Sequence, residues 1–93
     1  MIKSFKCKDT EKIFNRRFSR KLPGDIQRSA MRKLWMLHAA TDINDLRTPP
    51  ANFLEELKGD RNGEYSIRIN RQWRICFKWH HGNAYEVEMI DYH

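Results

Sequence analysis

At 93 residues, with 40% hydrophobic and 32% charged side chains, the chain has length for one domain, residues 1–93. It is polar enough to exclude a membrane-embedded protein, and no stretch approaches the ~18 apolar residues of a membrane span. Its net charge of +6 is concentrated in residues 1–48, with 12 basic and 5 acidic side chains against 6 and 7 in residues 49–93, which points to a polyanionic partner or an acidic protein.

Ile2 to Cys7 alternates weakly and reads as a short strand. Asp9 is placed to N-cap a helix running through Arg17, with Ile13, Phe14 and Phe18 along one side. Pro23-Gly24-Asp25 breaks the chain and starts a second helix, whose stripe is Ile26, Ala30, Leu34 and Leu37, widened by Met31 and Trp35. Its polar side carries Gln27, Arg28, Arg32, Lys33 and His38. Thr41-Asp42 caps a short turn with Ile43 and Leu46, and Thr48-Pro49-Pro50 is a loop. The period then changes to two. Tyr65, Ile67 and Ile69, then Trp73, Ile75, Phe77 and Trp79, then Tyr85, Val87 and Met89 mark three strands, with turns at Arg71-Gln72 and Gly82-Asn83.

The expected fold is α+β: an N-terminal strand, two helices and an antiparallel three-stranded meander, forming one sheet with helices on one face. The other face is expected to be a cationic platform bearing Arg68, Arg74 and Lys78. Cys7 and Cys76 lack Cys-x-x-Cys spacing and read as packing residues in a reducing compartment. His80-His81 has no further Cys or His at ligand spacing and makes no zinc site. Met1-Ile2-Lys3-Ser4-Phe5 lacks the apolar run of a secretory leader, so the expected location is the cytoplasm, with no membrane partner.

The residues that could carry chemistry cluster late. Asp91-Tyr92-His93 offers an acid, a phenol and an imidazole at a strand end, close in sequence pattern to Arg74 and to Lys58-Gly59-Asp60. Cleaving RNA by its own 2′-hydroxyl needs a proton acceptor, cations for the extra phosphoryl charge and a proton donor for the departing 5′-oxygen. Arg74 suits the cationic role, since its fork matches phosphate oxygens and stays protonated. Lys58 and Arg68 add charge, Asp91, Tyr92 and His93 are proton-transfer groups, and Glu55 is a further carboxylate. The same residues also have structural readings: Asp91 paired with Arg74 or Lys58, and Lys58-Gly59-Asp60 as a plain turn.

Taken in order, Leu57-Lys58-Gly59-Asp60-Arg61-Asn62-Gly63, Tyr65 to Asn70, Gln72 to Phe77 and the closing Asp91-Tyr92-His93 resemble the HigB-type toxins of the RelE/ParE superfamily. Met1 to Phe5 and Ala40-Thr41-Asp42 also fit, so the similarity spans nearly the whole chain. The resemblance implies a RelE-like fold and a type II toxin that cuts mRNA in the ribosomal A site without metal or cofactor. It implies a HigA-like helix-turn-helix antitoxin as partner, with operator DNA reached only through that complex. Lys58 and Arg74 would contact the scissile phosphate, and Asp91, Tyr92 and His93 would form the catalytic group. Charge alone assigns Arg16, Arg17, Arg20, Arg28 and Arg32 to ribosomal RNA. Some HigB toxins have His where Glu55 stands, which leaves the division of acid and base among Glu55, Asp91, Tyr92 and His93 open. The alternative is a ParE-like toxin that inhibits DNA gyrase by binding and cuts no RNA.

Overall fold

The structure, a computed structural model, describes residues 1–91. Two helices, α1 (Lys8–Phe14) and α2 (Gly24–Ala39), precede an antiparallel four-stranded sheet in the order β1-β2-β3-β4. The strands are β1 (Glu55–Glu56), β2 (Glu64–Arg68), β3 (Trp73–His80) and β4 (Asn83–Asp91). The three-stranded meander expected from the period-2 pattern is present as β2, β3 and β4. Its hairpin between β3 and β4 turns through His81 and Gly82 at φ 49° and 76°. Two left-handed residues are what a two-residue hairpin demands. A Cβ on Gly82 would also meet the Thr41 carbonyl oxygen at 3.0 Å.

Alternation fixes the layers. Ile67, Ile75, Phe77, Val87 and Met89 point to one side and bury themselves against Ile13, Ile26, Ala30, Leu34 and Leu37 of the helices. Trp73 and Trp79 extend that face, and Phe77 meets the Trp79 ring edge-on at 6.2 Å between centroids. The second face carries Glu55, Ser66, Arg74, Cys76 and Glu88, which the register brings side by side.

Several expectations are corrected. Ile2 to Cys7 does not form a continuous strand: it makes two isolated parallel bridges to β4, Ile2 with Ala84 and Phe5 with Val87. The cause is a bulge in β4, where Glu86 adopts φ 51° and turns its N–H to the Ser4 hydroxyl. Strand β1 goes beyond the expected meander, because two glutamates carry no alternation and little strand propensity. Helix α1 starts a residue before Asp9 and stops at Phe14, and Asn15 and then Arg16, at φ 64°, end it. Asp9 does not cap the helix; its carboxylate accepts the Ser19 hydroxyl at 2.7 Å.

Gln27 and Lys33 are not on a solvated side. Gln27 is buried and stitches the 15–23 loop to α2, accepting from Ser19 N–H and donating to the carbonyls of Ser19 and Leu22. Lys33 donates to the carboxamide oxygen of Asn52, and burial, then the nearby Arg32, lowers its pKa. His38 is half-buried, with its Nδ1 accepting from Ile2 N–H at 3.1 Å and its ring 5.2 Å from that of Phe14. Asp42 behaves as expected: it forms a capping box with Asp45 at the head of the 3-10 turn Ile43–Arg47.

Fully buried Asn52 is the polar hinge of the 48–54 segment, with its amide donating to the carbonyls of Leu46 and Thr48. Asn52→Ala strands both carbonyls and the Lys33 ammonium. It should lower stability by about 2–3 kcal/mol, since unpaired buried polar groups forfeit their full solvation. Urea unfolding of the variant against the parent chain measures this.

Candidate active site

The open sheet face is organised by Arg74. It sits in β3 between Trp73 and Ile75, whose side chains face the helices, so its own side chain must enter the opposite face. There it is 7% exposed rather than the open surface cation expected from the sequence. Its Nε donates to the Ser66 hydroxyl at 2.8 Å, and one Nη donates to the carbonyls of Phe53 and Ser66. The other Nη lies 3.9 Å from the Glu55 carboxylate. A guanidinium held along its edge in this way is preorganised: its plane is set before any anion arrives.

The backbone explains each clamp. Ser66 alternates with Tyr65 and Ile67 on β2 and therefore faces Arg74. Glu55 pairs with Ser66 across β1 and β2. Phe53 takes the left-handed conformation, at φ 42°, as the 3-10 turn Pro50–Asn52 ends. Its carbonyl turns to Arg74, and its ring lies beneath the Arg68 guanidinium at 5.1 Å. Arg68, opposite Arg74 in the register, donates to the Asn70 carbonyl.

Asp91 ends the described part of β4, directly across from Trp73, and accepts from the Gln72 amide at 3.0 Å. The register thus brings Asp91 to the end of β3 that holds Arg74. Tyr92 and His93 lie outside the described residues. Lys58 is exposed and precedes the 3-10 turn Gly59–Arg61. Leu57 bonds back to Glu64, so Lys58 enters its turn at the Lys78 end of the face. Counted along the strands, its backbone is on the order of 15 Å from that of Arg74. The fold sets Glu55 beside Arg74, whereas Asp91, paired with Trp73, shares the face of Trp73 at that end of the sheet, and Lys58 follows Glu55 toward the far end of the open face. Arg74 does lean toward Ser66 and Glu55, the direction in which Lys58 lies.

The platform is not uniformly cationic. Lys78 is paired with Glu86 at 2.6 Å, which raises the pKa of Lys78 and lowers that of Glu86. Arg61 bridges Glu64 at 3.3 Å and Glu88 at 2.7 Å, and Lys6 adds a contact to Glu88 at 3.4 Å. Burial works against the Arg61 charge, but its hydrogen bonds to Glu88 and Glu64 outweigh this and raise its pKa. Sequence reasoning assigns no role of their own to Arg61, Ser66 or Phe53. Ser66 is legible from alternation, whereas Phe53 depends on a loop conformation with no sequence period. Arg16, Arg17, Arg20, Arg28 and Arg32 are all exposed, on the helical side rather than beside Arg74. Among the described residues, no three His, Cys, Asp or Glu side chains converge as a metal site.

Residues 3–93 match the HigB-like toxin family model, described as the RelE-like toxin of the type II toxin–antitoxin system HigB. The chain belongs to the HigB-like toxin family. It is 36% identical over 93 residues to the Endoribonuclease HigB of Proteus vulgaris, covering 100% of both chains. It is 40% identical over 85 residues to Toxin HigB-1 of Vibrio cholerae, covering 90% of each. An uncharacterized protein of Haemophilus influenzae is 48% identical over 59 residues, which are 63% of this chain and 58% of that protein. The fold is similar to crystal structures of YafQ from E. coli. A point mutant of YafQ superposes with a TM-score of 0.60 at 13% identity, over 94% of this chain and 89% of that one. Family membership implies an antitoxin as partner.

Cys76 lies fully buried on the same face, opposite Ser66 and Glu88. Burial pushes its thiol up to about 11, Arg61 and Arg74 pull it down, and Glu88 and Glu64 add to the rise. A native-state thiol titration at pH 8 should therefore show slow, unfolding-limited labelling of Cys76 and faster labelling of half-buried Cys7. Rapid labelling of Cys76 in Cys7→Ser protein would mean that the Arg74 face opens without unfolding.

Proposed function

We propose that this chain is an endoribonuclease toxin that cleaves mRNA in the ribosomal A site by metal-independent attack of the RNA 2′-hydroxyl. The observation that carries the reading is the clamped Arg74 guanidinium beside Glu55, with β4 delivering Asp91 to the same end of the sheet. The whole-length relative named an endoribonuclease supports it.

In this mechanism the 2′-oxygen bonds to the adjacent phosphorus while the bond to the 5′-oxygen breaks. The products are a 2′,3′-cyclic phosphate and a 5′-hydroxyl, and no water is consumed. One proton leaves the 2′-hydroxyl and one reaches the 5′-oxygen. A base and an acid are therefore both needed, drawn from Glu55, Asp91, Tyr92 and His93. Arg74 meets the growing charge on the phosphoryl oxygens, and its fixed plane spares it reorganisation during the reaction. Lys58 reaches in from the far end of the face and contacts the phosphate or its neighbour, while Arg68 steadies the backbone. Glu55 stands 3.9 Å from the Arg74 guanidinium, where its carboxylate is on hand for proton transfer.

The ribosome supplies the positioning that so open a face lacks, since holding the reacting oxygen in line accounts for much of such a barrier. On this reading the antitoxin is a HigA-like helix-turn-helix protein. Arg20 and Arg32, with the arginines around them, approach ribosomal RNA.

Primer extension on a reporter mRNA, with and without programmed ribosomes, tests the proposal. Cuts should appear only with ribosomes. Arg74→Ala should lower their rate by about 10²–10³-fold, as for loss of one preorganised donor. His93→Ala should cost about 10²–10⁴-fold if His93 transfers a proton. Arg74 is buried, so the folded fraction of its variant is measured by urea unfolding, and His93→Ala gives an independent arm. A folded, growth-inhibiting protein that makes no cuts with ribosomes would overturn the reading in favour of a binding toxin acting on a target such as gyrase.

A further inference from the structure

Phe53 stands at the rim of the Arg74 cleft and is 55% exposed. The residues on either side of it are not. Asn52 is fully buried, and Leu54 packs against the core. The chain thus turns one large apolar side chain outward from a segment that is otherwise fastened down. It does so at a cost, since a phenyl ring left in water forfeits its burial.

The backbone adds to that cost. Phe53 holds φ 42° and ψ 57°, the left-handed conformation, which a bulky residue rarely adopts. Such a conformation persists only where its surroundings impose it. Here the Phe53 N–H donates to the Pro50 carbonyl at 3.0 Å, its own carbonyl accepts from an Arg74 Nη, and Asn52 is bonded to the carbonyls of Leu46 and Thr48. Glycine or asparagine would take this position with less strain and offer Arg74 the same carbonyl. The hydrogen bond to Arg74 therefore does not account for the ring.

The Arg68 guanidinium lies 5.1 Å from the centroid of the Phe53 ring and is steadied by its Nε, which donates to the Asn70 carbonyl at 3.0 Å. Arg68 pairs with Arg74 across β2 and β3. One aromatic residue is thus held against two guanidiniums, by its carbonyl to one and by its ring to the other. Even with Arg68 over it, the residue stays more than half exposed. Cations beside an open aromatic face are what a single nucleic-acid strand requires: charge for its phosphates and a π surface for its bases.

We propose that the Phe53 ring is a stacking platform for one nucleobase of the RNA, the base next to the phosphate met by Arg74. The inference rests on reading the Arg74 cleft as an RNA phosphate site, and it gives the neighbouring base a place. Arg68 takes one side of the ring and the base takes the open side. Every base has a π face, so the platform grips the strand without choosing its sequence. A base fixed there restrains the ribose joined to the phosphate, which serves the in-line approach of the 2′-oxygen.

NMR titration of the full chain tests this without ribosomes and without cleavage. The probes are an adenosine dinucleotide whose 2′-oxygens are methylated, so that it cannot be cut, and the same molecule lacking both bases. The Phe53 ring protons, assigned by their loss in Phe53→Leu, should move upfield with the intact probe and stay in place with the abasic one. Removing the bases should weaken binding at least about fivefold, the low end of what one base–aromatic stack contributes. Phe53→Leu, a surface change that keeps the side chain apolar, should weaken the intact probe by a similar factor and leave the abasic probe unaffected. Phe53→Trp should bind the intact probe at least as well as the parent chain. A ring that only supports Arg68 or Arg74 would make Phe53→Leu weaken both probes alike, and that result would overturn the proposal. Equal binding of the two probes by the parent chain would overturn it as well. If the Arg74 side-chain resonances respond to both probes while the ring protons stay still, the platform fails and the phosphate site stands. If neither probe moves Arg74, the phosphate reading fails with it.

Discussion

Everything else in the molecule depends on strand β3 being buried on both faces at once. Ile75 and Phe77 fill the helix-packed core, and alternating with them Arg74 and Cys76 are sealed into the opposite face. A one-residue slip in register would drive a guanidinium into the apolar core and a phenyl ring onto the charged face. That penalty locks β3 against β2 and β4, and the lock places Ser66 and Glu55 on one side of Arg74 and Ile90 on the other. A buried guanidinium is costly unless its N–H groups are met, so the Ser66 hydroxyl and the Phe53 carbonyl serve both folding and function. The same contacts that make Arg74 tolerable also hold it still.

How far the sequence could be read follows from this. Regions governed by a period were legible: the stripe of α2, the three strands of the meander, and the turn capped by Asp42. Regions governed by one local contact were not. Asp9 sits where a cap should be, yet Ser19 takes its carboxylate, and α1 ends early because Arg16 turns left-handed. Gln27 and Lys33 look like solvated helix residues until the loops that bury them are known. Glu55–Glu56 becomes a strand only because β2 presents an edge. Of the site, the importance of Arg74 was visible as a chemical type, but its burial was not, because its neighbours on that face come from Phe53 and Glu55 in a segment without periodicity. Lys58 was legible as a turn residue, and its offset from Arg74 emerges only from the register.

The charge pattern divides the protein into two surfaces with different physics. On the open sheet face Arg61 is answered by Glu64 and Glu88, Lys78 by Glu86 and Arg74 by Glu55, while Arg68 turns to the Asn70 carbonyl. Such pairs contribute little long-range field, so that face acts on what already touches it, through short contacts in a partly desolvated site. Among the described residues, the arginines around α1 and α2 have no carboxylate within 4.0 Å, and they dominate the field of the N-terminal half. They act at a distance of about a Debye length, which speeds encounter with any polyanion and depends on salt. Approach and chemistry are thus carried by opposite sides of one thin sheet.

Two surfaces allow two kinds of control. A partner that neutralises the helical arginines weakens encounter with a polyanion without displacing anything from the Arg74 cleft, and it does so more strongly at low salt than at high salt. A partner that fills the cleft instead must compete with the Glu55 carboxylate for the Arg74 guanidinium, at short range and with little salt dependence. Arginines alone would bind any polyanion. What distinguishes this basic surface is the exposed ring of Phe18, on a segment held by Ser19 and Gln27.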